Sequence, residues 1–111
     1  MASPRVAPYG SWKSPISAER IVGGTVLLSQ PGFRDEEIFW SESRPWEGGR
    51  SVLVRWSPDG ATEDVTPPPF SARTRVNEYG GGAYLAAAQA IYFWNDADRR
   101  LYEAGRGKAP R

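Results

Sequence analysis

Three consecutive glycines, Gly80–Gly82, are the first feature of the chain that could do chemistry, because glycine-rich loops can hold phosphate groups. A phosphate loop needs its glycines between a strand and the start of a helix, followed by a lysine. Here the glycines lead into Ala83–Leu85, a strand pattern, and no lysine directly follows. The sequence therefore favours a structural role, in which glycine allows a positive φ and a close approach of the backbone.

Two clusters of carboxylates are the next candidates for chemistry. Asp35–Glu37 could form a metal site, and so could Asp96 with Asp98. Calcium loops need oxygen ligands at alternating positions over about 12 residues, ending in a glutamate, and neither cluster has that pattern. Exposed turns are the favoured interpretation, while a pair of carboxylates of the glycosidase type stays open. The sequence predicts no metal ion and no cofactor.

Missing residue types exclude several classes of active site. The chain of 111 residues has no cysteine and no histidine. Disulfides, thiolate nucleophiles and zinc sites built from these side chains are therefore ruled out, and so is a Ser-His-Asp triad within the chain. We assign no catalytic residue. The formal net charge is +1 with both signs interspersed, which gives no electrostatic argument for nucleic acid or a membrane as partner.

Strands must position most of these residues, because apolar side chains alternate with polar ones from residue 25 onward. Seven segments have this pattern: 25–29, 37–42, 50–56, 63–66, 83–87, 90–94 and 100–103. Pro31-Gly32 is predicted to end the first, Ser57–Gly60 to form a type I turn, and Pro67–Pro69 to cross between two units. The prediction is an all-β fold.

The order of strands sets the domain boundaries. Residues 1–24 are predicted to be an arm with a short N-terminal helix, which has Ser14 as N-cap and ends at a Gly-Gly pair. Residues 25–66 would form one four-stranded antiparallel sheet, and residues 67–104 a second, incomplete one. Residues 105–111 have no periodicity and are expected to be a disordered tail.

Aromatic strands occur twice. Ile38–Glu42 and Tyr92–Asp96 match as aromatic-rich strands that run into an acidic turn, with an offset of 54 residues from position 38 to position 92. That spacing suits one propeller blade plus an insertion. On this pattern Trp40 and Trp94 would lie in the cores of their sheets, and Trp46 would be the most exposed tryptophan. A tryptophan platform for a carbohydrate or a peptide is the alternative.

Several segments of the chain resemble a known family, in the same order along the sequence. They are Tyr9–Ile16, Glu47–Arg55, Asp64–Pro67, Arg73–Tyr84 and Arg100–Tyr102. Together they are similar to the N-terminal β-propeller of prolyl-oligopeptidase-family serine peptidases, in the branch of dipeptidyl and acylaminoacyl peptidases. The resemblance implies a partial β-propeller, with one complete four-stranded blade and an incomplete second blade.

The resemblance also implies a function for the whole protein. A parent of this family would hydrolyse short peptides with a Ser-Asp-His triad on an α/β-hydrolase domain, and its propeller would gate access of the peptide substrate. That domain and the missing blades would be the partners of this chain. Because inner strands line the central tunnel, Arg75, Glu78 and Tyr79 become candidates for contact with substrate. The structural alternative is an ion pair of Glu78 with Arg75 that pins the glycine turn, with Tyr79 packed. Family members often have histidine where this chain has Asn77, a departure that weakens a role in proton transfer.

Two hypotheses of function therefore stand. The first is a fragment of such a propeller, truncated before the catalytic domain and without activity of its own. The second is a free-standing small β binding module that pairs an exposed sheet edge with a partner. The isolated chain is expected to self-associate, since missing blades would leave apolar faces bare. No segment reaches the roughly 20 apolar residues of a membrane span, and the N-terminus lacks a secretory signal, so a cytoplasmic location is expected.

Overall fold

A computed structural model describes residues 3–111, which form two antiparallel β-sheets. Sheet A has the strand order β1-β2-β3-β4, with bounds Leu27–Arg34, Glu37–Arg44, Arg50–Trp56 and Thr62–Asp64. Sheet B has the order β5-β6-β7, with bounds Tyr84–Ala86, Ile91–Asn95 and Arg100–Ala104. One α-helix, α1, spans Ala18–Val22, and 3₁₀ turns span Pro45–Glu47 and Val76–Glu78. The prediction of an all-β partial propeller, with a four-stranded blade and an incomplete one, is confirmed.

The two sheets pack face to face, so each has an inner face toward the other and an outer face away from it. Phe39 and Leu53 of sheet A join Ile91 and Phe93 of sheet B in one buried cluster, completed by Ala72 of the connecting segment. Each of these five side chains is at most 3% exposed. Burying a Leu, Ile or Phe side chain contributes about 1.5–3 kcal/mol, so this cluster is the main apolar contribution to stability.

Strand alternation places the phenylalanines of the two aromatic strands in the core, rather than the tryptophans. Phe39 and Phe93 are buried on the inner faces, whereas Trp40 and Trp94 lie on the outer faces, and Trp94 is 36% exposed. The expectation of core tryptophans is wrong, because neighbouring residues of a strand point to opposite sides. Trp46 is exposed as expected, but a tryptophan of the N-terminal arm is more exposed.

The 54-residue match between these strands does not join equivalent positions. Rotation about a propeller axis would carry an inner-face residue of sheet A onto the outer face of sheet B, yet Phe39 and Phe93 belong to the same inner cluster. Arg44 of β2 and Asn95 of β6 occupy the equivalent hairpin ends, so the structural offset is 51 residues, from position 44 to position 95. Inner-face positions of β2 therefore correspond to outer-face positions of β6.

Strand β1 continues through the Pro31-Gly32 pair that was expected to end it. Its register against β2 shifts between Ser29 and Gly32, and Gln30 takes a φ of 52°. The bulge absorbs the residues that cannot keep the ladder, and proline is tolerated because β1 lies at the edge of its sheet. A glycine is required where the strand resumes, since a Cβ on Gly32 would lie 2.8 Å from the Tyr84 hydroxyl.

Arg50 fixes the segment that connects the two blades. Its side chain, 9% exposed, donates hydrogen bonds of 2.8 Å to the carbonyl oxygens of Thr66 and Phe70. Pro67–Pro69 lies between these carbonyls and lacks N–H groups for a ladder, in agreement with a crossing between units. Phe70 then packs edge-to-face on Phe93, with ring centroids 5.7 Å apart. The crossing thus delivers an aromatic ring to the core of sheet B.

Ser17, rather than the predicted Ser14, is the N-cap of helix α1. The Ser17 Oγ accepts a hydrogen bond from the backbone N–H of Arg20 at 3.2 Å. The Ser14 Oγ accepts from the N–H of Ile16 at 3.1 Å instead, which forms a separate turn before the helix. Serine satisfies backbone donors in turns as well as at caps, so either position matched the signature. No residue of α1 is buried.

The segment after β7 turns back onto that strand instead of leaving it. The backbone of Glu103 exchanges two hydrogen bonds with that of Arg111, at 2.9 and 3.1 Å, as a pair of antiparallel strand residues would. The sequence predicts a disordered tail here because Gly105–Pro110 has no apolar periodicity, and backbone pairing does not need any. No helix among residues 3–111 is long and apolar enough to cross a membrane.

Candidate functional site

The loop that carries the predicted site residues is fixed to strand β6 at both ends. At its start, the N–H of Arg73 donates to the carbonyl of Trp94 at 3.2 Å, and the N–H of Asp96 donates to Ser71 at 3.0 Å. At its end, the N–H of Trp94 donates to the carbonyl of Ala83 at 2.9 Å. The strand therefore holds the loop by main-chain contacts, and the loop tip is free to present side chains.

The loop tip has an unusual backbone. Asn77 and Glu78 have φ of 53° and 67°, so two successive non-glycine residues lie in the left-handed region. Such conformations cost about 1–3 kcal/mol each and concentrate at functional sites. Gly80 follows with φ of 82°, and a Cβ there would lie 3.1 Å from the Thr74 carbonyl oxygen. The structural role predicted for this glycine is therefore supported by its geometry.

A cleft of about 380 Å³ opens beside this loop, and we call it the loop cleft. It is lined by Thr74, Arg75, Val76, Glu78, Trp94, Asp96 and Arg99. The Arg75 Nε lies 3.9 Å from the Asp96 Oδ1, and the Arg75 side chain is 71% exposed. The cleft thus combines both signs of charge with the face of an indole ring. This set can bind the charged end of a peptide and an apolar side chain beside it.

Two of the three predicted site residues meet in the loop cleft, and the third does not. Arg75 and Glu78 line it together, whereas Tyr79, 96% exposed, lines a neighbouring cleft of about 450 Å³ with hydroxyl groups such as that of Ser43. Within residues 3–111 the ion pair of Arg75 is to Asp96 rather than to Glu78. The Glu78 N–H donates to the Arg75 carbonyl at 3.0 Å. The turn is therefore held by its backbone, without the ion pair and the packed tyrosine of the structural alternative.

Sequence reasoning missed a cluster of arginines around Glu37 at the boundary between the sheets. Arg34 donates to Glu37 through its Nε and Nη2, at 3.1 and 2.7 Å, and Arg106 donates at 2.6 Å. Arg55, whose side chain is 4% exposed, brings its Nε within 3.7 Å of the same carboxylate. Burial opposes ionisation of Glu37, but the hydrogen bonds from Arg34 and Arg106 outweigh it and lower the pKa of the carboxyl. This carboxylate stays charged and joins sheet A to the segment after sheet B.

Only part of this cluster has a signal in the sequence. Arg34 and Glu37 are three residues apart on either side of a tight turn, so their contact is local. Arg106 comes from the far end of the chain, 69 positions from Glu37. A contact at that separation depends on how the two sheets pack, which a single sequence does not reveal.

The acidic clusters considered for metal binding have other roles. Asp35 and Glu36 are exposed at the β1-β2 turn, as predicted. Asp98 accepts hydrogen bonds from the Tyr102 hydroxyl at 2.5 Å and the Asn95 amide at 2.9 Å. These contacts, the tyrosine first, lower the pKa of the Asp98 carboxyl. Among residues 3–111 no group of three or more potential metal ligands comes together.

Comparison with known proteins identifies the kind of molecule to which this fold belongs. A structure of a Mycobacterium tuberculosis puromycin-hydrolysing peptidase matches 97% of this chain, with 35% identity and a TM-score of 0.80. A crystal structure of puromycin hydrolase matches 95%, with 36% identity and a TM-score of 0.78. The chain is homologous to part of such peptidases. It spans 17% of the length of each. No family model matches the chain, and neither does any curated protein.

These matches bear on the predictions made from the sequence. The resemblance to a peptidase is confirmed at the level of puromycin-hydrolysing peptidases. The assignment to the dipeptidyl or acylaminoacyl branch stays a prediction, and so does the role of Arg75, Glu78 and Tyr79. A cytoplasmic location likewise stays a prediction.

Proposed function

We propose that this chain is part of the N-terminal propeller of a serine peptidase, and that it limits which peptides reach the catalytic domain of the whole protein. The observation that carries the proposal is the 35% identity to a puromycin-hydrolysing peptidase over 97% of this chain. The chain contains no histidine, so it supplies no general base for a serine nucleophile. Its part in hydrolysis is to hold and select the substrate. The branch we propose is that of dipeptidyl and acylaminoacyl peptidases, because of the Arg73–Tyr84 motif.

The loop cleft is the part of the chain that we propose meets the substrate. Arg75 fits a peptide carboxylate, and Glu78 with Asp96 fits an amino group, since charged donors and acceptors form the stronger hydrogen bonds. Trp94 offers an apolar surface to a side chain between them. Tyr79, exposed on the neighbouring cleft, is the third candidate for the wall of a substrate tunnel.

A graft tests the proposal. Residues 3–111 replace the matching segment of the Mycobacterium tuberculosis puromycin-hydrolysing peptidase, and hydrolysis of puromycin by the purified chimera is measured. We expect hydrolysis, because core sequences that keep volume and pattern substitute for each other. The control graft carries Phe93→Asp, which buries a carboxylate in the core and is expected to abolish folding and activity together. A chimera with a native circular dichroism spectrum and no hydrolysis would contradict the proposal and favour the free-standing binding module.

Substrate selection is tested in the same chimera by Arg75→Gln and Glu78→Gln. Loss of binding contacts made equally in the ground state and the transition state raises KM and leaves kcat unchanged. We therefore expect higher KM for peptides with charged ends, with no change for peptides whose ends are blocked. Lys13→Gln, in the exposed arm, is the matched control. Equal effects on blocked and unblocked peptides would remove the loop cleft from the proposal.

A further inference from the structure

The outer face of sheet B is an exposed apolar surface. Its four large apolar side chains are Leu85 (63% exposed), Tyr92 (37%), Trp94 (36%) and Leu101 (66%). The strand register makes them neighbours, because Leu85 lies opposite Tyr92 and Trp94 lies opposite Leu101. A contiguous apolar surface of this kind marks a site of interaction with another protein surface.

The packing of the two sheets indicates what covers such a face. The 51-residue offset makes the outer face of sheet B the counterpart of the inner face of sheet A, which is the face that packs on sheet B. The surface that fits it is therefore a counterpart of the inner face of sheet B. By the same offset, that counterpart is the outer face of sheet A, where Trp40 corresponds to Ile91.

The outer face of sheet A is suited to burial. Leu28 and Phe33 are 67% and 75% exposed there, on the same side of the sheet as Trp40. The Trp40 Nε1 already donates a hydrogen bond to Glu42 at 2.9 Å. Burying this ring against a partner therefore leaves no donor without an acceptor. One chain thus carries both halves of an interface.

We propose that the outer face of sheet B binds the outer face of sheet A of a second copy of this chain. The two surfaces differ, so the contact is heterologous and copies associate head to tail. Each added copy repeats the packing step that relates sheet A to sheet B within one chain. The association belongs to the chain as it stands and does not depend on the peptidase function proposed above.

Sedimentation velocity on the purified chain, between about 1 and 100 µM, is the first test. We expect the mean mass to rise with concentration beyond that of a dimer. Leu101→Asp blocks the face of sheet B, and Leu28→Asp blocks the face of sheet A. Each is expected to weaken association more than about tenfold, because an aspartate would have to be buried at the contact. Ile21→Asp, an equally exposed position on helix α1 (61%), is the control and is expected to associate like the wild type.

Mixing the two blocked variants distinguishes a head-to-tail contact from a symmetric one. Leu101→Asp keeps the face of sheet A, and Leu28→Asp keeps the face of sheet B, so an equimolar mixture is expected to form heterodimers and nothing larger. Far-UV circular dichroism confirms that each variant is folded. A monomeric wild type at the highest concentration, undiminished association of either variant, or a mixture that stays monomeric would each overturn the proposal. The puromycin assay of the chimera is independent of all three outcomes.

Discussion

Sheet A and sheet B hold their strands together by different chemistry. In sheet A, Arg44 at the end of β2 binds both oxygens of Asp64 at the end of β4, at 2.7 Å each. In sheet B, the stacked rings of Phe93 and Tyr102, 5.7 Å apart, join β6 to β7. Sheet A is thus closed by ion pairs of its own residues. Sheet B depends on apolar contacts, and sheet A and the connecting segment supply the other half of them.

This difference shows which sheet needs the other. The edge strand of sheet A is only three residues long and exposed, but a bidentate guanidinium–carboxylate pair holds it in place. The hydrogen bonds from Arg44 lower the pKa of the Asp64 carboxyl, so this pair stays charged. Phe93 of sheet B, by contrast, is fully buried by partners outside its own sheet, including Phe39 and Phe70. We expect sheet B to lose its structure first when the contact between the sheets is weakened.

The largest effect is expected from Phe93→Ala. This ring is 0% exposed at the centre of the shared cluster, so its removal leaves a cavity and should lower the free energy of unfolding by about 3–5 kcal/mol. The matched control is Trp94→Ala, the adjacent residue on the opposite face of the same strand. Urea unfolding at low micromolar concentration measures both. A larger loss for Trp94→Ala than for Phe93→Ala would mean that the inner and outer faces are wrongly assigned.

The strands and the turns between them could be predicted because their signals are local. Alternation identified all seven strands, and Ser57–Gly60 forms a turn closed by the Gly60 N–H on the Ser57 carbonyl at 2.8 Å. Proline and glycine were poorer guides where tertiary context decides. Pro31 did not end β1, because an edge strand needs no donor on its free side.

Positions that depend on how the sheets meet could not be predicted. Matching aromatic letters gave an offset of 54 residues, which differs by an odd number from the structural offset of 51 and so exchanges the two faces of the strand. The loop cleft was found in part, because Arg75 and Glu78 are near each other in sequence. Trp94 and Arg99 reach it only through the hydrogen bonds that tie the loop to β6.

A smaller effect is expected from Arg50→Met, which tests the tie between sheet A and the connecting segment. The change removes the donor shared by the Thr66 and Phe70 carbonyls while keeping the length of the side chain. Leaving buried carbonyl groups without a partner should cost about 2–3 kcal/mol. Arg100→Met, at an exposed position of β7, is the control, and thermal unfolding compares the two. Equal losses would show that the two carbonyls find other donors.

The smallest effect is expected at the boundary between the sheets, where the arginine cluster lowers the pKa of Glu37 from its ordinary value of 4.5. A carboxyl with a lower pKa in the folded state than in the unfolded state stabilises the fold while it is ionised. This contribution is complete above about pH 4.5 and is lost as the pH falls through the lowered folded value. Glu37→Gln removes it, so wild type and variant should differ by a constant amount between neutral pH and about pH 5. The difference should then shrink as the solution becomes more acidic.

Urea unfolding of both proteins across this range measures the effect, and Asp98→Asn provides the comparison within sheet B. The Asp98 carboxyl also has a lowered pKa, but its partners Tyr102 and Asn95 belong to its own hairpin. Loss of the Glu37 contacts should release Arg106 and the contact between the sheets, whereas loss of the Asp98 contacts should loosen one turn. Hydrogen exchange at acidic pH should therefore increase at both β1-β2 and β7 for Glu37→Gln, but only near the β6-β7 turn for Asp98→Asn. A Glu37→Gln protein with unchanged exchange in β7 would mean that the arginine cluster does not join the two sheets.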